Sequence, residues 1–260
     1  LIKSISGIRG TIGGKVGEGL TPLDLVKFSA AYGTWLQTKN NAKKLNIVIG
    51  RDARISGDIV NAIVVNTLRS LGINVLDLGL STTPTVEIAV PMEKAHGGII
   101  LTASHNPKEW NALKLLNEKG EFLSAMDGEE VIAIAEKSDF NFAVVDRLGK
   151  YTTKDNYIDL HIEKILSLPY VDVEAIKAAN FKIVVDAVNS TGGIAIPKLL
   201  EKLGVQNVHL IHCEPTGEFA HNPEPLPAHL KDLSNKIIET KADLGITVDP
   251  DVDRLALVCE

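Results

Sequence analysis

Two stretches of this 260-residue chain carry residue types that could do chemistry together. In the first, Gly97-Gly98-Ile99-Ile100-Leu101 reads as a short apolar strand that breaks into the polar loop Thr102-Ala103-Ser104-His105-Asn106-Pro107, leaving Ser104 on a turn. Ligands of open α/β sheets gather where loops leave the carboxyl ends of strands, so a hydroxyl beside an imidazole is well placed there. In the second, Asp249-Pro250-Asp251-Val252-Asp253-Arg254 puts aspartates at alternate positions after a strand. In extended backbone the three carboxylates would point to one side. Like charges so placed repel unless a divalent cation sits among them, and hard oxygen donors without Cys or His favour Mg²⁺, which keeps positions open for a phosphate oxygen. Pro250 and Val252 both favour extended backbone, so the loop is expected to need no positive φ there. A solvated acidic turn is the bland alternative. An EF-hand is excluded by the missing glycine and distal glutamate, and the D-x-D motif of aspartyl-phosphate phosphatases would leave Ser104 without a role.

Ser104 and His105 do not read as a hydrolase triad, because neighbouring side chains are expected to diverge and no G-x-S-x-G elbow surrounds the serine. Phosphoryl carriage fits better, since a phosphoserine bears a charge of about −2 and three acceptor oxygens that a cation could hold near the carboxylates. Lys114 is the nearby residue able both to neutralise phosphate and to exchange a proton. Gly10-Thr11-Ile12-Gly13-Gly14-Lys15 is not a nucleotide P-loop: the first glycine is misplaced and Val16 stands where Ser or Thr belongs.

TASHNP followed by Asn111 and Lys114, the DPDVDR loop, and Gly7-Ile8-Arg9-Gly10 together resemble the motifs of the α-D-phosphohexomutases, the family of phosphoglucomutase, phosphomannomutase and phosphoglucosamine mutase. The resemblance implies that Ser104 carries the phosphoryl group and that Mg²⁺ is held by Ser104, Asp249, Asp251 and Asp253. It implies Lys114 as general base and acid, His105 as its partner or the orienter of the phosphoserine, and Arg9 and Arg254 as charge clamps. It also implies interconversion of hexose 1-phosphate and hexose 6-phosphate through a 1,6-bisphosphate, with glucosamine, glucose and mannose phosphates left open. The family loop is usually D-G-D-G-D-R, so Pro250 and Val252 depart from it, as Ala112 departs from N-G-x-K. A Mg²⁺-dependent phosphatase and a non-catalytic sugar-phosphate binder are the alternatives. Gly50-Arg51-Asp52-Ala53-Arg54-Ile55-Ser56-Gly57 resembles a further family loop; an ion-pair cluster supporting neighbouring loops is preferred there over substrate contact.

The elements that must position these residues alternate strand and helix, which predicts an α/β fold of two consecutive domains, each a mixed sheet between helices. The first domain is placed at 1–145 and the second at 146–260. Residues 1–10 read as a short strand that then loops around Arg9, and further strands are expected at 46–51, 74–78, 97–101, 112–116, 181–186, 205–210, 244–247 and 255–258. Helices are expected from Thr21-Pro22 to about Thr38, from the opening Thr82-Thr83-Pro84 to about Val90, and at 58–71, 127–136, 154–166, 173–178, 193–203 and 228–240. Residues 139–150 lack periodicity and read as a connection. His221-Asn222-Pro223-Glu224-Pro225 is read as a proline-stiffened turn, Asn189 to Gly193 as a helix cap, and Trp110 as a brace for the serine loop. The resemblance covers only the family's first two domains, so domains III and IV are expected to be absent and the chain to be an N-terminal fragment.

A composition of 45% hydrophobic and 23% charged residues is ordinary for a globular protein. The net charge of −6 weighs against nucleic acid and leaves a sugar-phosphate substrate open. Without a membrane-length apolar run or signal-peptide centre, no membrane role and a cytoplasmic location are expected. Cys213 and Cys259 are read as buried thiols of a reducing compartment, with a disulfide as the alternative.

Overall fold

A computed structural model describes residues 1–4 and 7–259; Ile5 and Ser6, inside the stretch expected to pass from strand into loop, and the terminal Glu260 lie outside the described residues. Arg9, expected in a loop, lies instead on a strand, Gly7–Thr11. The strands are β1 Ile2–Ser4, β2 Gly7–Thr11, β3 Asn46–Arg51, β4 Asn74–Leu80, β5 Gly97–Leu101, β6 Trp110–Leu116, β7 Tyr151–Thr153, β8 Lys182–Asp186, β9 Asn207–Ile211, β10 Leu244–Val248 and β11 Leu255–Val258. The helices are α1 Pro22–Lys39, α2 Gly57–Ser70, α3 Thr83–Met92, α4 Ala125–Lys137, α5 Tyr157–Leu166, α6 Val173–Ala179, α7 Gly192–Lys202 and α8 Lys231–Thr240. A seven-stranded sheet runs β1-β2-β6-β5-β3-β4-β7 and a four-stranded sheet runs β11-β10-β8-β9. In the first, β5, β3, β4 and β7 are parallel and β6 is antiparallel to both its neighbours. In the second, β9, β8 and β10 are parallel and β11 is antiparallel. Both sheets are therefore mixed, as expected for α/β architecture.

Apolar side chains alternate through the central strands to both faces, so each sheet is buried between helices. On one face of the first sheet, Ile47, Ile49, Ile99 and Leu101 pack with Phe28, Leu36, Val64 and Leu68 of α1 and α2. On the other, Val48 and Ile100 pack with Val86 and Val90 of α3 and with Tyr157 of α5. In the second sheet Val184 meets Leu233 and Ile237 of α8, while Ile183 and Val185 meet Leu200. Helix α1 starts as its sequence indicates, with Thr21 capping Asp24 in a reciprocal box and Pro22 at the first turn.

The sequence missed β7, whose three exposed residues pair with β4 through Val75, Leu76 and Asp77. Too short to show periodicity, β7 lies beyond the boundary placed at 145/146 yet completes the first sheet. Two helices start later than expected, α5 at Tyr157 and α8 at Lys231, the latter after a 3-10 turn at Pro227–His229. Cys259 is exposed and only Cys213 is partly buried, which corrects the reading of two buried thiols. Among the described residues no helix is long and apolar enough to cross a membrane.

The loops at the carboxyl ends of β3, β4, β5, β8 and β10 all meet at one place between the two sheets. Ligands of open α/β sheets bind at such strand ends.

Candidate active site

Ser104 follows β5 by three residues and is only 9% exposed. Its φ of 49° is left-handed, unusual for a residue with a Cβ, and surrounding bonds hold it there. Its N–H donates to Thr102 Oγ1 (2.9 Å), and that hydroxyl donates to Asp52 Oδ2 (2.6 Å). Arg54, 1% exposed, pairs with Asp52 and donates to the backbone carbonyls of Ser104, Asn106, Pro107 and Trp110. The Asp52-Arg54 pair thus shapes the serine loop, the supporting role preferred from sequence. Nothing in the residue pattern signalled that Arg54 reaches four carbonyls, because that depends on how β3 and β5 lie side by side.

The Ser104 hydroxyl points across the boundary between the sheets. It donates to Asp249 Oδ2 at 2.7 Å and lies 3.5 Å from Asp253 Oδ1. His105 Nδ1 is 3.3 Å from Ser104 Oγ. The expected divergence of these neighbouring side chains is therefore wrong, since the left-handed backbone at Ser104 turns them together. Burial first, then the positive charges of Arg254 and Arg9, holds the His105 imidazole below its usual range and favours the neutral ring.

The carboxylates of Asp249, Asp251 and Asp253 converge, one oxygen from each lying within 4.8 Å of the others. The convergence was expected but its geometry was not. The loop is a tight turn between β10 and β11, closed by Val252 N–H donating to the Asp249 carbonyl (3.1 Å), and Val252 has a φ of 63°. The expectation that Pro250 and Val252 keep the loop extended is corrected: the loop needs positive φ at Val252, a position where the phosphohexomutase pattern carries glycine. Hairpin closure outweighs the β-branched preference.

Lys114 on β6 donates to Asp251 Oδ2 (2.7 Å) and Asp253 Oδ2 (2.9 Å). Burial works to lower its pKa, but the charges and hydrogen bonds of those aspartates outweigh it and raise the pKa above the ordinary lysine value. Burial likewise opposes ionisation of Asp251, yet Lys114 and Thr83 hold that carboxyl below its usual range. Asp249 has no such cation, and burial with the charges of Asp251 and Asp253 pushes it up to about 8. Asp251 Oδ1 is buried without a hydrogen-bond partner. An all-oxygen donor set, a buried oxygen without a partner and a carboxyl reluctant to ionise together fit a divalent cation.

Several positioning residues were not legible in the sequence. Thr83, read only as part of a helix opening, donates its N–H to the Asp251 carbonyl (2.8 Å) and its hydroxyl to Asp251 Oδ2 (2.6 Å). Ser190 and Thr191, read as a helix cap, make no side-chain cap. Their hydroxyls instead donate to the Pro250 carbonyl at 2.7 and 2.8 Å, while Ser190 Oγ accepts from Ala53 N–H. The left-handed pair Val188 (φ 45°) and Asn189 (φ 54°) turns the chain there.

Of the eight site residues read from sequence, Ser104, His105, Lys114, Asp249, Asp251 and Asp253 form one bonded cluster. Arg9 and Arg254 stand at its edge and, among the described residues, hydrogen-bond to none of the six through their side chains. Arg9 Nε is buried without a partner, and Arg254 Nη1 donates to Glu224 Oε1 (3.0 Å).

Two α/β units that meet through a serine turn and an acidic hairpin define an α/β protein with a two-unit polar centre. Residues 2–142 match the family model described as phosphoglucomutase/phosphomannomutase, alpha/beta/alpha domain I, and residues 157–260 match domain II of the same description. The chain belongs to the phosphoglucomutase/phosphomannomutase family. It is 36% identical over 254 residues to a phosphoglucomutase/phosphomannomutase of Thermococcus kodakarensis, covering 96% of this chain and 55% of that one. It is 32% identical to a phosphoglucosamine/phosphogalactosamine mutase of Sulfurisphaera tokodaii, covering 97% and 53%. A crystal structure from Thermus thermophilus, assigned as a phosphomannomutase, superposes with a TM-score of 0.85 at 26% identity, covering 100% of this chain and 57% of that one. The chain thus spans about half the length of the curated relatives it matches.

Proposed function

We propose that this chain carries the phosphoserine and metal-binding halves of a phosphohexomutase that interconverts hexose 1-phosphate and hexose 6-phosphate through a 1,6-bisphosphate. The observation that carries the reading is the Ser104 hydroxyl on Asp249, 2.7 Å apart and supplied by different sheets. In this reading residues 1–145 form the serine unit and 146–260 the acidic unit, with β7 reaching back into the first sheet.

Ser104 holds the phosphoryl group as an ester. In the forward step the bond from Ser104 Oγ to phosphorus breaks as a sugar hydroxyl forms a new bond to phosphorus, leaving free Ser104 and a bisphosphate. In the return step the other phosphoryl passes back to Ser104. Asp249, Asp251 and Asp253, with a phosphate oxygen on Ser104, would hold Mg²⁺, which would offset charge on the transferring group. Lys114, kept protonated by its aspartates, suits proton donation to Ser104 Oγ as it leaves and takes up the proton that the attacking sugar hydroxyl loses. In the return step it accepts the Ser104 hydroxyl proton, the harder half of its work, and protonates the departing sugar oxygen. Neutral His105 orients the serine oxygen. Arg9, with a free buried Nε, and Arg254 supply positive charge for the phosphates.

The test is conversion of glucose 1-phosphate, glucosamine 1-phosphate and mannose 1-phosphate with catalytic glucose 1,6-bisphosphate. Ser104→Ala should remove turnover. Activity close to that of the parent would overturn the reading, and release of inorganic phosphate without the bisphosphate would point to a phosphatase.

A further inference from the structure

The turn at 221–225, read from sequence as proline-stiffened, sits beside the site. His221 Nε2 lies 3.0 Å from Asp186 Oδ2, and its Nδ1 lies 2.8 Å from the Asn222 carbonyl oxygen. Both partners only accept, so the ring donates to both only when doubly protonated. Asp186 ends β8, is fully buried, and takes the Val188 N–H on its other oxygen. The other titratable groups facing His221 are His212, whose ring meets it edge-on at 5.6 Å, and Asp232, which is 3.2 Å from His212 Nε2. Burial alone would push the His221 pKa down, but the Asp186 carboxylate raises it above its usual range.

Three residues on, Glu224 has both backbone groups tied: its N–H donates to Asn222 Oδ1 (3.0 Å) and its carbonyl accepts from His229 Nδ1 (2.8 Å). Its carboxylate accepts from Arg254. The Arg254 side chain is 42% exposed and otherwise free to point elsewhere. Glu224 and Arg254 both act electrostatically on His105, which places them at the edge of the site.

We propose that the 221–224 turn is a positioning element of the phosphate site, in which the Asp186–His221 ion pair fixes the turn and Glu224 sets the direction of the Arg254 guanidinium. The use of this device rests on the mutase reading, whereas its existence does not. Above the titration midpoint of His221 the ring loses one donor and the turn loosens.

Nitrogen-15 NMR of the 260-residue chain should show both His221 ring nitrogens protonated at neutral pH, with a midpoint above that of free imidazole that falls in Asp186→Asn. A neutral His221 would overturn the proposal. Glu224→Gln and His221→Gln should each speed solvent exchange of the Arg254 side-chain N–H, and unchanged exchange in both would also overturn it. Affinity for glucose 1,6-bisphosphate as probe should fall up to about fivefold in either variant, the size of an exposed ion pair, and His221→Gln should remove the alkaline part of its pH dependence. Parent-like affinity with a parent-like pH profile in both variants would refute the positioning role. If the parent chain does not bind the probe, the mutase reading fails while the NMR result still decides on the device.

Discussion

Ser104, Val252 and Arg54 show how single residues set the centre. Ser104 and Val252 occupy left-handed backbone that a side chain resists, one at each loop that meets across the boundary. A β-branched residue there costs roughly 1–2 kcal/mol, and glycine gives back part of the gain as unfolded-state entropy. Val252→Gly should therefore stabilise the chain by up to about 1 kcal/mol in urea unfolding, and a clear loss would show that the turn is not strained. Arg54→Lys should cost about 3 kcal/mol or more by the same measurement, because an ammonium cannot reach four carbonyls and Asp52 together. A cost below about 1 kcal/mol would contradict the clamp. The candidate site side chains were legible as residue types and spacings. The backbone conformation that aims them was not, since Val252 is a strand former pressed into a hairpin turn and Ser104 depends on bonds from strands far away in sequence.

At the scale of elements, long periodic segments such as α1, α2 and β3 read correctly because their apolar faces match the layers they enter. The short edge strand β7 carries no such pattern. Nor could the seam between α3 and α5 be seen, where Thr85 meets His161 Nδ1 at 2.9 Å. Burial holds His161 below its ordinary pKa of 6.5, so the folded chain binds fewer protons there than the unfolded chain does. The stabilisation is present above about pH 6.5 and is lost as pH falls below it toward the folded value. Between about pH 7.5 and 5.5 the parent should therefore lose more thermal stability than His161→Gln. Equal losses would remove His161 from that linkage.

Over the whole molecule, short polar contacts hold the loops of the two sheets against each other at the centre. Ser190 and Thr191 hold the Pro250 carbonyl, Thr83 holds Asp251, and Lys108 pairs with Glu218 at 2.7 Å. Ser190→Ala with Thr191→Val should leave that carbonyl unsatisfied, costing roughly 1–3 kcal/mol and weakening Mg²⁺ binding by calorimetry. Unchanged Mg²⁺ affinity would show that the acidic hairpin keeps its shape alone. The most direct measurement is peptide mapping by mass spectrometry after exposure to glucose 1,6-bisphosphate and Mg²⁺. A single phosphoryl group on Ser104, absent in Ser104→Ala and not formed when the cation is chelated before the exposure, is the expected result. An unmodified Ser104, or phosphate on another residue, would contradict the account.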